Sequence, residues 1–247
     1  MSRAALDSRY GHPVSVWPGT DPSFLVVCEH ASRYIPPEFA NLGVVAEALD
    51  SHIAWDPGAT QVAEQLAQSL NATYVEGRFS RLLYDCNRPP RAYDAIPQVS
   101  EIFDVPGNLD LSDLARQERV EIIHDGFHDA LQDEVEEAGQ PILLTIHSFT
   151  PVYKGVARAV ELGILHGADD RLAKAMLDRA PDRFETQLNA PYGPADGVAY
   201  TLDRHGTNNG LLNVMIEIRN DLIAHKSAQT DMATYLSDWI KATAEAM

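Results

Sequence analysis

The chain has 247 residues, 45% of them hydrophobic and 22% charged, and its 36 acidic side chains against 19 basic ones leave a formal net charge of −17. This balance excludes a nucleic-acid binder, because no basic stripe exists to neutralise phosphates. No apolar run approaches the ~20 residues that a helix needs to span a bilayer, so no transmembrane helix is expected.

One α/β domain over residues 1–247 is expected, since a chain of this size buries about three quarters of its unfolded surface without help from disulfides or a structural metal. The N-terminal stretch MSRAALDSRYGHPVSVWPG lacks the apolar core of a signal peptide, so a cytoplasmic protein is expected. Residues 1–21 read as an irregular arm. FLVVCEH (24–30) is an apolar strand that ends abruptly in two polar residues, then in a segment that cannot continue it. Residues 57–70 predict a helix with Val62, Leu66 and Leu70 on one stripe, and TYVEG and RLLYDC predict strands. NRPPRAYDAIPQ (87–98) is a proline-rich loop, and about 111–137 is one long helix with Ile123, Phe127, Leu131 and Val135 at four-residue spacing. PILLTIH (141–147) and VELGILH (160–166) are further apolar strands. A helix over 169–179, the loop NAPYGPADG, the strand VMIEIR (214–219) and a helix near 230–245 complete the chain. Apolar strands alternating with amphipathic helices predict an α/β fold, a mostly parallel mixed sheet with helices on both faces, and ligands in such folds sit beyond the carboxyl ends of the strands.

His30 and His147 both fall at such strand ends, and Glu29 directly precedes His30. Successive strand residues face opposite ways, so Glu29 and His30 converge only if the chain bends there; otherwise they are an exposed pair. Two histidines and a carboxylate are the composition of a catalytic zinc site, although manganese and iron share these ligand types. Glu217 lies in an apolar run, where an ionised carboxylate is costly without a partner. It reads as a general base, as half of a structural ion pair with Arg219 on the same side of the strand, or as both together. Arg81, Asn87, Arg88 and Arg158 lie near strand ends and suit carboxylate recognition, against the plainer reading of arginines paired with surface acids.

Three features fit plainer roles. His124 and His128 have the spacing of a helical metal pair but lack the accompanying glutamate, so they read as structural, with His128 kept as a candidate site-lining residue. Ser148 beside His147 lacks both the geometry and the elbow motif of a serine nucleophile. Cys28 and Cys86 fit buried free thiols, with a disulfide or metal thiolate as the other reading.

In order, VVCEHAS, AWDPGA, SRLLYDCNRP, TIHSFTP, NAPYG and IEIRNDL resemble the N-formylglutamate amidohydrolase family from about residue 24 to 222. The resemblance implies a zinc-carboxypeptidase-like three-layer sandwich with one divalent metal, expected to be zinc, held by His30 and His147. It implies Glu217 as the carboxylate that activates water, and Arg81 with Asn87-Arg88 as the substrate grip; Arg158 and Arg219 complete the expected substrate-binding set. The wider superfamily places its glutamate ligand three residues after the first histidine, where this chain has Arg33, so Glu29 is taken as the third ligand. Asp56, in AWDPGA, matches a family position whose role does not follow from the sequence. The expected function is metal-dependent hydrolysis of a small anionic N-formyl or other N-acyl amino acid such as N-formylglutamate. A deacylase or short-peptide carboxypeptidase of other specificity, and a non-catalytic metabolite-binding relative, are the alternatives.

Overall fold

A computed structural model describes residues 10–247 of the chain. Seven strands form one sheet: β1 (Val14–Trp17), β2 (Phe24–Cys28), β3 (Thr73–Gly77), β4 (Ile142–Phe149), β5 (Leu162–Leu165), β6 (Thr186–Leu188) and β7 (Asn213–Arg219). Their spatial order is β1-β3-β2-β4-β7-β5-β6. The pairs β3–β2, β2–β4, β4–β7 and β5–β6 are parallel, whereas β1–β3 and β7–β5 are antiparallel.

The central strands alternate between two apolar layers, as strands buried on both faces must. Val26, Leu144, Ile146, Val214 and Ile216 pack under α1 (Ala59–Leu70), α3 (Arg171–Leu177) and α4 (Lys226–Ala244). Val62, Leu66 and Leu70 of α1 are buried there against Met232, Leu236 and Ile240 of α4. On the other face Leu25, Val27, Leu143 and Met215 meet Ile123, Phe127, Leu131 and Val135 of α2 (113–138). The fold is therefore the expected α/β three-layer arrangement of a mostly parallel mixed sheet between helices. Among the described residues no helix is long and apolar enough to cross a membrane.

Several predicted elements differ. The arm is not irregular throughout: Val14–Trp17 forms the antiparallel edge strand β1, too short and too close to Pro13 and Pro18 for its alternation to stand out. Residues 1–9 of the arm lie outside the described residues. RLLYDC is a turn and not a strand. Ser80 organises it, accepting from Leu82 N–H at 3.2 Å while its hydroxyl donates to Ala54 O at 2.7 Å. Leu82, Leu83 and Tyr84 are all buried, so the run looks apolar without having a strand's register. The long helix α2 is interrupted by a π-helical turn, Val120–His124, between Asp113–Arg119 and Asp125–Ala138. The edge strand β6, within a segment given no element, pairs with β5.

Candidate active site

Strand register explains how the site is assembled. On β2 and β4, Val27 lies opposite Thr145, so two residues further on Glu29 comes level with His147. On β4 and β7, His147 is directly paired with Glu217. All three positions share parity with Leu25, Leu143 and Met215, so their side chains point to the α2 side of the sheet, beyond the apolar layer.

The chain does bend after Cys28, where β2 ends and Glu29-His30 form a turn. Gly77 permits this, because a Cβ there would stand 2.2 Å from the Glu29 carbonyl oxygen. His30 is thereby turned towards the loop preceding α1, where Asp56 N–H donates to His30 O at 2.9 Å.

Asp56 occupies the centre. Its Oδ2 lies 3.0 Å from His147 Nδ1 and 3.4 Å from His30 Nδ1, and it accepts the Ser148 N–H at 3.2 Å. Ligand atoms of His30, Asp56 and His147 lie within 4.8 Å of one another, and all three residues are buried. The opposite edges of both rings face carboxylates. His30 Nε2 is 2.7 Å from Asp85 Oδ1, and His147 Nε2 is 3.0 Å from Glu29 Oε2. The second contact is an ion pair between buried groups, and His30 Nδ1 is buried 3.4 Å from Asp56 without a hydrogen bond. Glu29, expected as the third ligand, thus stands at the outer edge of His147, and the converging carboxylate is Asp56.

Burial opposes ionisation of Glu29, Asp56 and Asp85, yet the histidines, and for Asp85 foremost Arg81, hold each carboxyl below its ordinary range. Burial likewise opposes charge on His147, but Glu29 and Asp56 hold its proton to well above the usual pH. With both imidazoles deprotonated, the form that ligates a metal, three buried carboxylates face one arginine, an excess of negative charge that a cation would neutralise in place of the imidazole protons. Two imidazoles and a carboxylate fit a divalent ion by composition; His30 Nδ1 faces Asp56 without a hydrogen bond, whereas His147 Nδ1 is hydrogen-bonded to it.

Glu217 is different in kind. Burial pushes its carboxyl up to about 7, and its Oε2 has no hydrogen-bond partner among the described residues. Arg219 does not neutralise it; its guanidinium binds Asp221 at 2.8 Å and Glu161 at 3.3 Å. A carboxyl poised near neutrality beside a cation site is suited to accept and return a proton.

The arginines divide by partner. Arg81 bridges Asp85 at 2.7 Å and Asp56 at 3.4 Å, at the mouth of the site. Arg88 pairs with Asp94 at 2.8 Å. Arg158 stacks against Tyr153 at 4.8 Å and Tyr192 at 4.9 Å, donates to the Tyr192 hydroxyl at 3.1 Å, and has no carboxylate partner among the described residues. Asn87 is structural in placement: its amide donates to Val198 O at 2.6 Å and accepts from Thr201 N–H at 3.0 Å. A cavity of about 290 Å³ opens between His52, Arg81, Asp85, Arg88, Tyr153 and Tyr192. Gly163, level with Glu217, lets the chain before Tyr192 come close; a Cβ there would meet Ala190 O at 2.0 Å.

The remaining candidates fall into structural contacts. His128 contacts Cys86 O at 2.9 Å and His205 Nε2 at 2.8 Å, while His124 contacts the Tyr200 hydroxyl and Asp125. Both cysteines are free and buried. The Ser148 hydroxyl donates to Pro57 O at 2.9 Å, so it braces the loop that carries Asp56. Ser148→Ala is expected to cost about 1 kcal/mol of stability and leave turnover within a few-fold, measured by urea unfolding and initial rates. Complete loss of activity in a folded variant would instead make the hydroxyl part of the chemistry.

Sequence reasoning left Asp56 without a role and missed Asp85, Tyr153 and Tyr192. The Arg81-to-Asp85 spacing was the available signal for Asp85, hidden by reading RLLYDC as a strand.

The profile of the N-formylglutamate amidohydrolase family matches residues 23–224. Among solved structures, a gene product from Agrobacterium tumefaciens is similar with a TM-score of 0.94 and 47% identity, over 97% of each chain. N-formylglutamate amidohydrolase from Ralstonia eutropha has a TM-score of 0.63 and 15% identity, over 96% of this chain and 100% of that one, a likeness of fold. No functionally curated protein matches the chain. Since the profile spans most of the chain, the protein belongs to the N-formylglutamate amidohydrolase family and is a hydrolase of amide bonds.

Proposed function

We propose that the protein hydrolyses the formyl amide of an N-formyl amino acid with a carboxylate side chain, such as N-formylglutamate, and that it does so with one divalent metal, zinc by ligand type. The observation that carries this reading is the convergence of His30, Asp56 and His147 beside the near-neutral carboxyl of Glu217. His30, Asp56 and His147 would hold the ion, with Asp85 and Glu29 orienting the two rings from their far edges. A divalent ion there supplies Lewis acidity, polarising an acyl carbonyl and acidifying water.

The chain's own groups account for the proton transfers. Glu217 accepts a proton from the attacking water as the C–O bond forms, then passes it to the amine nitrogen as the C–N bond breaks. Arg81, fixed by Asp85 and Asp56, donates to the oxygen that gains negative charge. Arg158, without an acidic partner among the described residues and held flat by Tyr153 and Tyr192, binds a substrate carboxylate; this local cation outweighs the −17 field of the whole chain.

Arg158→Met tests the substrate assignment. KM for N-formylglutamate is expected to rise at least tenfold, the loss of a charged hydrogen bond, with kcat changed much less. The penalty should shrink for an N-formyl amine lacking carboxylates. An equal penalty on both substrates, or none on either, would remove Arg158 from carboxylate recognition. The rates should also be compared for N-formylglutamate, N-acetylglutamate and short peptides; preference for either of the latter two assigns the other deacylase or peptidase specificity.

A further inference from the structure

The cavity at the mouth of the site holds one imidazole that the reaction described above does not use. His52 lies in the turn that follows the short helix Ala46–Asp50 and lines the cavity with Arg81, Tyr153 and Tyr192. Its side chain keeps 28% of its surface exposed. Of the acids along the same walls, Asp85 is paired with Arg81 and Asp94 with Arg88. Glu101 faces His52 instead, with its Oε2 3.1 Å from the ring Nε2.

That contact assigns the ring proton. An ionised carboxylate only accepts hydrogen bonds, so the nitrogen facing it carries the proton and Nδ1 keeps its lone pair. Burial holds the imidazole below its ordinary pKa, against the pull of Glu101 and Asp56 and with the help of Arg81 and Arg158. No other ion pair or side-chain hydrogen bond reaches the ring among the described residues. His52 is therefore a neutral group with one acceptor uncommitted, on the wall of a cavity whose other strong groups are arginines, tyrosines and acids.

Its place matches one part of the substrate. Arg81, Arg158 and Asp56 all act on the ring electrostatically, so His52 is near both the cation cluster and the carboxylate anchor. In an N-acyl amino acid the amide nitrogen joins the acyl carbon to the part that carries the carboxylates. With the carbonyl oxygen at Arg81 and a carboxylate at Arg158, that nitrogen lies between the two arginines. We propose, resting on the amide hydrolysis and arginine roles given above, that His52 Nδ1 accepts the N–H of the scissile amide and makes the enzyme selective for secondary over tertiary amides. The nitrogen regains a lone pair as the carbonyl carbon becomes tetrahedral, and with its N–H held by His52 that pair receives the proton from Glu217. His52 itself neither gains nor loses a proton, and Glu101 is the positioning residue that fixes its tautomer.

Initial rates on N-formylglutamate and N-formyl-N-methylglutamate, and on the corresponding N-acetyl pair, test this in wild type and variants. Wild type is expected to prefer the N–H amide. The ratio of kcat/KM for the N–H substrate over its N-methyl counterpart should fall roughly tenfold in His52→Phe, the worth of one neutral hydrogen bond. Only the N–H substrate loses a partner, whereas a general disturbance of the fold slows both and leaves the ratio unchanged. His52→Asn, whose amide oxygen can stand where Nδ1 stood, should recover most of the ratio, which a mere packing role would not allow. Glu101→Gln frees the tautomer without touching the ring and should lower the ratio a few-fold, so the test survives a His52→Phe chain that fails to fold. Equal wild-type rates on the N–H and N-methyl amides, or a ratio unchanged in His52→Phe and Glu101→Gln, would overturn the role of His52 and leave the proposed function standing. Turnover of the N-acetyl pair alone would instead correct the acyl group, and the same ratios on that pair would decide the role of His52.

Discussion

Replacing Glu217 with glutamine is expected to lower turnover by about a thousandfold while making the metal-free protein more stable at alkaline pH. The first effect is the loss of a proton acceptor in the transition state, ordinarily worth about 10²–10⁴ in rate. The second follows from burial, which raises the Glu217 carboxyl from 4.5 to about 7. Below about pH 4.5 the group is protonated in both folded and unfolded chains, so it contributes nothing to the difference. Above about pH 7 it is ionised in both, and only the folded chain carries the charge in a buried setting. Stability is therefore lost as pH rises between these limits, by about 3 kcal/mol. Glutamine keeps the shape and never ionises, so Glu217→Gln should recover about that amount at pH 8 and almost none at pH 4.5. Urea unfolding of chelator-treated wild type and variant at the two pH values measures it. A variant destabilised at both would mean that Glu217 is a satisfied ion-pair partner and not a strained functional group.

The second large effect distinguishes the two carboxylates that compete for the third ligand position. Asp56→Asn keeps the side-chain shape but removes the charge between His30 and His147, and should abolish stoichiometric metal binding together with turnover. Glu29→Gln removes a group at the outer edge of His147, and should weaken metal binding by the 10–100-fold typical of an orienting partner. Competition against a chromophoric chelator gives both affinities. A larger loss for Glu29→Gln than for Asp56→Asn would restore Glu29 to the position suggested by its sequence neighbour His30. Both variants also disturb buried charge: Asp56 contacts both histidines and Arg81, so its substitution should lower stability, by about 3–5 kcal/mol if the pairing is broken outright.

This competition shows where sequence reasoning reaches its limit. The two apolar strands ending in histidine were legible because burial on both faces leaves a continuous hydrophobic run, and a polar residue closing such a run marks the sheet's carboxyl edge. Glu217 stood out for the same reason, as a carboxylate in an apolar strand. Its freedom from Arg219 was not legible. Strand alternation puts them on one side, but Arg219 lies at the strand end, where Glu161 and Asp221 reach it first. Asp56 and Asp85 come from loops, and loop residues have no periodicity that fixes where they point. Asp56 enters the site because the chain before α1 is hydrogen-bonded to His30, a contact across 26 residues that no local pattern encodes. Asp85 was hidden by a buried turn whose leucines mimic a strand. The arginines were found as a group, but pairing sorts them: Arg81, Arg88 and Arg219 have acids of their own, whereas Arg158 has aromatic neighbours and no acid among the described residues.

Formate release from N-formylglutamate, followed as the chelator-stripped protein is titrated with Zn²⁺, tests the central claim most directly. Negligible release is expected without metal, then a rate that climbs linearly to a plateau at one ion per chain, with Asp56→Asn inactive throughout. Undiminished formate release after complete removal of metal, or none at any metal loading, would contradict it.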